Sequence, residues 1–333
     1  MSKPKIVVIG GGTGSFTLLN SLKNHTKDLT AIVNMADDGG STGVLRDELG
    51  ALPPGDIRQC LVALSDSSKT RDLFNYRFEE GTFKGHAFGN ILLSALEKMT
   101  GSFAEAVETA SEILRINGTV IPATLDNIRL KMEWADKSVI LNGERVIDAE
   151  SFRHDPRKAR LSLVPGATPN PDALAALNSA DLIVIAPGDL YTSLGPLLII
   201  DGIGDVLCAA KAPKLYVVNL VTKQGQTEHF TVSDHADEIE RFVGCHFLDY
   251  VLFNDQKPDR ALAARYKAEG AFLVKPDIET LDKKLYKGIA GQFLSPVATK
   301  HGAEVGTLPV TRSLIRHDAE AVARAIMKAY YAL

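Results

Sequence analysis

Short runs of uninterrupted apolar residues alternate along the chain with stretches whose apolar positions recur every three or four residues. Ile6-Val7-Val8-Ile9 is such a run, and Thr30–Met35, Leu182–Ala186, Leu215–Val221, Tyr250–Phe253 and Phe272–Val274 repeat it. Apolar runs of this length suit strands buried on both faces of a parallel sheet. Between them, Ile57, Cys60, Leu61 and Leu64 make one helical stripe. Phe88, Ile91, Leu92, Ala95 and Leu96 make a second, and Val322, Ala325, Ile326, Ala329 and Tyr330 a third. This alternation predicts an α/β fold, a Rossmann-like, doubly wound and mainly parallel sheet. From Gly118 to about Leu163 the rhythm changes to polar-alternating segments: Ile128–Trp134, Ser138–Leu141, Arg145–Ile147 and Ala159–Leu163. Asn142-Gly143 reads as a hairpin turn between two of them. The expectation is one domain over residues 1–333, with an antiparallel β-rich insertion at about 118–163 on one margin of the sheet. Val164–Pro171 serves as the connector that follows it.

Composition narrows the function classes. A net charge of −4 over 333 residues argues against a nucleic-acid binder. Lys3 and Lys5 lead straight into the first strand without an export pattern, and the best apolar stretch, Leu194–Val206, is broken by Pro196, Gly202 and Gly204. A cytoplasmic protein without membrane insertion is therefore expected. The three cysteines, Cys60, Cys208 and Cys245, are odd in number and far apart, which suits reduced thiols better than a disulfide framework. Cys245, His246 and His235 lack paired metal-ligand spacing, so Cys245 reads as a small buried hydrophobe.

Candidate chemistry concentrates in loops that follow the apolar runs. In a parallel sheet these loops emerge on one edge, so residues far apart in sequence face one crevice. Gly10-Gly11-Gly12-Thr13-Gly14-Ser15 follows the first strand and opens a helix, a place where backbone amides can seat a phosphate. Ser15 at the third glycine position, and no Lys-Ser or Lys-Thr pair after it, set it apart from standard dinucleotide and Walker loops. No acid stands at the tip of the second strand, which counts against an NAD-dependent dehydrogenase. Asp37 and Asp38 come later, in Ala36–Gly43. With Asp56 they make a set able to hold Mg²⁺ or sugar hydroxyls, while Ser41 or Thr42 can cap the short helix to Leu49. Asp56 is equally a candidate N-cap, and Arg58 a candidate phosphate contact or surface ion pair. Gly85–Asn90 leads into the second stripe; Asn90 can bind a base or cap the helix, and His86 is a possible acid or base. Asp189, Tyr191, Thr192 and Ser193 follow the 182–186 run; the three hydroxyls are donors suited to phosphate oxygens, and Asp189 lies in the same loop. Arg316 can reach a diphosphate, Asp318 suits the cap of the last helix, and Tyr266 can stack on a sugar or base.

Five ordered segments together resemble the CofD/YvcK superfamily: residues 9–14, 36–43, 54–58, 89–93 and 188–193. That superfamily has a 2-phospho-L-lactate transferase branch and a gluconeogenesis-factor branch that binds uridine-diphosphate sugars. The Asp-Asp-Gly-Gly-Ser and Pro-Gly-Asp-Ile-Arg segments are in the style of the second. The resemblance implies a nucleotide-sugar-binding regulator, with a ligand like UDP-N-acetylglucosamine. Its implied roles are in carbon metabolism, cell-wall synthesis and cell shape, and it implies a homodimer. By position it places ligand contacts on Gly11, Gly12, Thr13, Asp37, Asp38, Asn90, Tyr191, Thr192 and Ser193, and also on Tyr266 and Arg316; Gly14 and Asp189, in the same loops, are candidate contacts as well. Asp189, where the branch often has Ser, and Gly195-Pro196-Leu197 depart from that pattern. They keep open the alternative of a Mg-dependent phosphotransferase using Asp37, Asp38 and Asp56.

Overall fold

The computed structural model describes residues 3–258, 270–295 and 316–332, with positions 260, 263, 264 and 267 between them. Strand β1 (Ile6–Gly10) is buried along its whole length, and β2 (Leu29–Val33) nearly so. They lie in a seven-stranded sheet with β3 (Thr119–Pro122), β7 (Leu182–Ile185), β8 (Lys214–Val217), β9 (Tyr250–Asn254) and β10 (Lys287–Gly291). The order is β10-β9-β8-β7-β1-β2-β3 and every pairing is parallel.

Side chains of β1 divide by alternation, as a pleated strand requires. Ile6 and Val8 join one core with Leu18 of helix α1 (Gly12–Leu22), Ile57 of α3 (Gly55–Leu64), Val107 of α6 (Phe103–Leu114) and Val322 of the last helix, α13 (Ala319–Tyr331). Val7 and Ile9 join a second core on the opposite face. There they meet Leu177 of α8 (Pro171–Ser179), Leu207 of α10 (Ile203–Ala209) and Ile239 of α11 (Val232–Val243). The doubly wound expectation holds, and its consequence is positional. The order runs outward from β1 in both directions, so the chain switches direction between β1 and β7, the point beyond whose strand ends such sheets usually form their ligand crevice.

The insertion differs from expectation in three ways. Its first segment, β3, belongs to the main sheet, pairing with β2. The separate sheet has three strands in the order β5-β4-β6, from β4 (Arg129–Trp134), β5 (Val139–Asn142) and β6 (Arg160–Val164). Its apolar side, Leu130, Met132, Trp134 and Leu161, merges with the second core, so it sits over a face of the main sheet rather than on its margin. Asn142-Gly143 does not turn a hairpin. Gly143, at φ 94°, leads into a helix, α7 (Glu144–Ala149), where a strand was expected at Arg145–Ile147. The hairpin joins β4 to β5 through Ala135–Lys137. Outside the insertion, β8 stops at Val217, and the expected strand Phe272–Val274 makes only isolated bridges such as Val221 to Leu273.

Cys208 and Cys245 form a disulfide, contrary to the reduced thiols expected; Cys60 remains free and buried. Their separation of 37 positions hides the reason, which is that α10 packs beside α11 and brings the two cysteines within bonding reach. No single helix among the described residues is long and apolar enough to cross a membrane.

Candidate functional site

The three loops singled out in the sequence do meet on one rim. A Cβ at Gly14 would lie 1.7 Å from the carbonyl oxygen of Pro187, so the start of α1 lies directly on the loop after β7. A Cβ at Gly11 would lie 3.3 Å from that of Asn34, in the loop after β2. Asn34 in turn donates from Nδ2 to the carbonyl of Thr192 at 3.3 Å. Asn219, after β8, exchanges two hydrogen bonds of 2.9 Å with the backbone of Gly188. Glycine at 11 and 14 is thus a requirement of close approach, and Gly12 adds a φ of +60° that L side chains rarely adopt.

The anion seat at the start of α1 is already occupied by a carboxyl group of the protein itself. Asp56, in the first turn of α3, accepts a hydrogen bond from the amide of Gly12. Asp56 does not cap its own helix, whose N-cap position is Pro54. Burial, and then the Asp37 charge, push its carboxyl up to about 7 against the lowering effect of Gly12 and Arg58. Asp37 is raised as well, chiefly by burial, although the Gly39 amide donates to it at 2.9 Å. The helix after it, α2 (Gly40–Leu49), is capped at Gly39 without a side chain, so neither Ser41 nor Thr42 is its cap.

Asp38 points elsewhere. Its carboxylate accepts from the amides of Arg145 (2.7 Å) and Glu144 (3.2 Å) and from Arg129 (3.3 Å), with only 6% of the side chain exposed. It is the remote cap of α7. Asp37, Asp38 and Asp56 therefore do not converge on one point, and among the described residues no three His, Cys, Asp or Glu side chains are arranged to hold a metal ion. The residues do not fit the expected Mg²⁺ set.

Tyr191 also turns away from the crevice. It lies in a π-helical turn (Leu190–Leu194), buried between Phe152 and Phe242, and its hydroxyl donates to Glu238 at 3.2 Å. Burial raises its phenol far above the ordinary range. Thr192 is buried and donates to Asp148 at 3.4 Å, Ser193 is half-buried, and Thr13 is exposed at the mouth. Asn90 sits inside α5 (Phe88–Thr100) rather than at its cap; it accepts from Arg58 Nε at 2.8 Å and donates to Ser41 at 3.2 Å. Ser41 in turn meets His86 Nδ1 at 2.9 Å. Arg58, Asn90, Ser41 and His86 thus form one polar chain along the wall. Arg316 is exposed next to His317, which is half-buried against the carbonyl of Val218. Tyr266 lies outside the described residues.

Three residues of the crevice, Glu144, Asp148 and Lys223, carry no sequence signal. Glu144 is pushed up to about 8, by burial first and then by Asp37, Asp148, Asp38 and Asp56. Lys223, in the loop after β8, pairs with Asp189 at 3.1 Å and with Asp148. Asp189 is raised, mainly by burial and against the pull of Lys223. Hydroxyls, amides and protonated carboxyls can all be bound on such a wall, and Lys223 supplies a cation beside it.

Residues 6–294 match the family described as 2-phospho-L-lactate transferase CofD. The gluconeogenesis factor of Bacillus subtilis (strain 168) is 39% identical over 324 residues, covering 96% of this chain and 96% of that protein. The gluconeogenesis factor of Listeria monocytogenes serovar 1/2a is 38% identical over 329 residues, covering 98% and 95%. Among solved structures, a protein member of the UPF0052 family from Bacillus halodurans is similar at a TM-score of 0.87 and 36% identity, over 98% of this chain and 99% of that one.

Proposed function

The chain belongs to the 2-phospho-L-lactate transferase CofD family, and from that premise we propose that its crevice binds a nucleoside-diphosphate sugar, of the UDP-N-acetylglucosamine kind, as a regulatory ligand. The observation that carries this reading is the meeting of the loops after β1, β2 and β7 at the switch point of a parallel sheet, the usual ligand position in such folds. The lining supports a sugar in particular. Asp56 and Glu144 are pushed up to about 7 and about 8 beside Asp37, and a protonated carboxyl can both donate to and accept from hydroxyl groups. The relatives named gluconeogenesis factor support a role in carbon metabolism. A cell-wall sugar nucleotide as ligand would extend that role to wall synthesis and cell shape.

The test is thermal shift and titration calorimetry with UDP-N-acetylglucosamine, GDP and NAD, each with and without Mg²⁺. Stabilisation by the UDP-sugar that ignores metal, with the ligand recovered intact, is the expected result. Preference for GDP that depends on Mg²⁺ would overturn it and move the chain to the phosphotransferase reading.

A further inference from the structure

The crevice loops do not account for α7, a six-residue helix that the insertion sends across them. Loops of the main sheet hold both of its ends. Asp38, after β2, caps the amides of Glu144 and Arg145. Gln226, after β8, donates from Nε2 to the carbonyls of Ile147 (2.8 Å), Asp148 (3.3 Å) and Glu150 (3.3 Å). The helix therefore bridges the crevice. Glu144 and Asp148, four residues apart, lie on one side of it. The first faces Asp37 and Asp56, and the second meets Thr192 and Lys223.

Lys223 stands between two carboxylates from different parts of the fold. Asp189 comes from the loop after β7, and Asp148 from α7. The lysine side chain is 25% exposed, Asp148 46% and Asp189 39%, so both carboxylates reach solvent and Asp148, carried by the insertion, is the slightly more exposed of the two. One ammonium serving two carboxylates leaves a local excess of negative charge. A phosphate entering the crevice gains from Lys223 only by displacing one of them, and Asp148, on a short helix fastened at its ends by Asp38 and Gln226, is the one free to give way.

We propose that Lys223 is the phosphate-binding residue of this crevice and that Asp148 is its built-in competitor, so that the insertion sets the affinity for a nucleoside diphosphate through one exchangeable ion pair. The inference rests on the nucleotide-sugar reading above and assigns to that site its cation and its gate.

The experiment is calorimetry with UDP-N-acetylglucosamine, UDP and free N-acetylglucosamine on the full chain and on Asp148→Asn, Lys223→Gln and the double variant, with melting temperatures recorded for each. Removing the competitor tightens both phosphate ligands by about two- to fivefold, the size of one partly exposed ion pair. Lys223→Gln weakens both by about tenfold or more, and in its background Asp148→Asn no longer tightens anything. The phosphate-free sugar is indifferent to all three changes. If the wild type binds but Asp148→Asn has no effect or weakens binding, or tightens it equally without Lys223, this inference fails and the nucleotide-sugar reading stands. A fall in melting temperature with unchanged affinity likewise overturns it, because the pair would then only fasten α7. If the wild type binds none of the ligands, both fall together.

Discussion

Replacing Asp38 by Ala separates the two roles open to that residue. The structure makes it the remote N-cap of α7, with both oxygens engaged by the Glu144 and Arg145 amides and by Arg129. Loss of an N-cap costs about 0.5–2 kcal/mol, and hydrogen bonds to a charged acceptor are each worth about 1.5–3 kcal/mol. Arg129 keeps Asp47 at 2.6 Å, so its contribution is discounted. The expected cost is about 2–4 kcal/mol, falling first on α7 and the hairpin before it. At about 1.4 kcal/mol per factor of ten, amide exchange in α7 should quicken by roughly 30- to 1,000-fold. Hydrogen exchange resolved to single amides, with urea unfolding alongside, measures both quantities. Asp38→Asn, which keeps one acceptor oxygen, should recover about half. Should Asp38→Ala leave α7 protection within threefold and the unfolding midpoint unmoved while abolishing nucleotide-sugar binding, the cap assignment is wrong and Asp38 is a ligand residue after all.

Other changes test other parts of the site. Gly14→Ala places a methyl group 1.7 Å from the Pro187 oxygen and should lower stability by about 3 kcal/mol or more, read as a shift in the urea midpoint; a shift below 1 kcal/mol would mean that α1 and the β7 loop are not packed as described. Tyr191→Phe removes one buried hydrogen bond to Glu238, so calorimetry should show unchanged nucleotide-sugar affinity and denaturation a loss of about 1–2 kcal/mol; a large affinity loss would put the phenol in the crevice. Asp56 and Glu144 hold their protons more tightly when folded, at about 7 and about 8, than when unfolded. Their contribution is fully present below the unfolded values near ~4 and is lost as pH rises through the folded ones. The melting temperature should therefore decline between pH ~5 and ~8, and Asp56→Asn and Glu144→Gln should flatten the decline; a rise across that window contradicts the assignment.

What the sequence disclosed follows from how far each signal reaches along the chain. Ile6–Ile9 and Leu182–Ile185 are buried on both faces, and so they read as unbroken apolar runs. β10 is Lys-Gly-Ile-Ala-Gly on the sheet edge, half exposed and poor in β-branched residues, and nothing in it announces a strand. Arg145-Val146-Ile147 suggests a strand by propensity, yet it folds as α7. The capping carboxylate that decides the matter lies 107 residues earlier, at Asp38. The crevice divides in the same way. Gly11, Gly12, Gly14, Asp37 and Asp56 stand in glycine-rich loops that mark themselves. Glu144, Asp148 and Lys223 stand in segments of ordinary composition, and only the docking of the insertion brings them to the rim. Asp38 and Tyr191 show the converse, since residues inside a recognisable motif can serve the scaffold around the site.

The placement of charge constrains how any ligand can lie here. In many nucleotide-binding folds the amides that open the first helix hold a phosphate. In this chain Asp56 accepts from the Gly12 amide, and Asp37 stands close enough to raise it further. A doubly charged phosphate brought to that point would face the carboxylates of Asp37, Asp56 and Glu144 before it gained the helix amides. Across the crevice, Lys223 lies between the β7 loop and α7. The two ends of the crevice thus differ in what they can stabilise. The carboxyl end, partly protonated near neutral pH, suits uncharged hydroxyl and amide groups, and the Lys223 end suits an anion once Asp148 has given way. A nucleoside-diphosphate sugar that binds here is stabilised in one orientation, diphosphate towards Lys223 and a hydroxyl-bearing ring towards Asp37 and Asp56, and a ligand that is anionic at both ends is disfavoured.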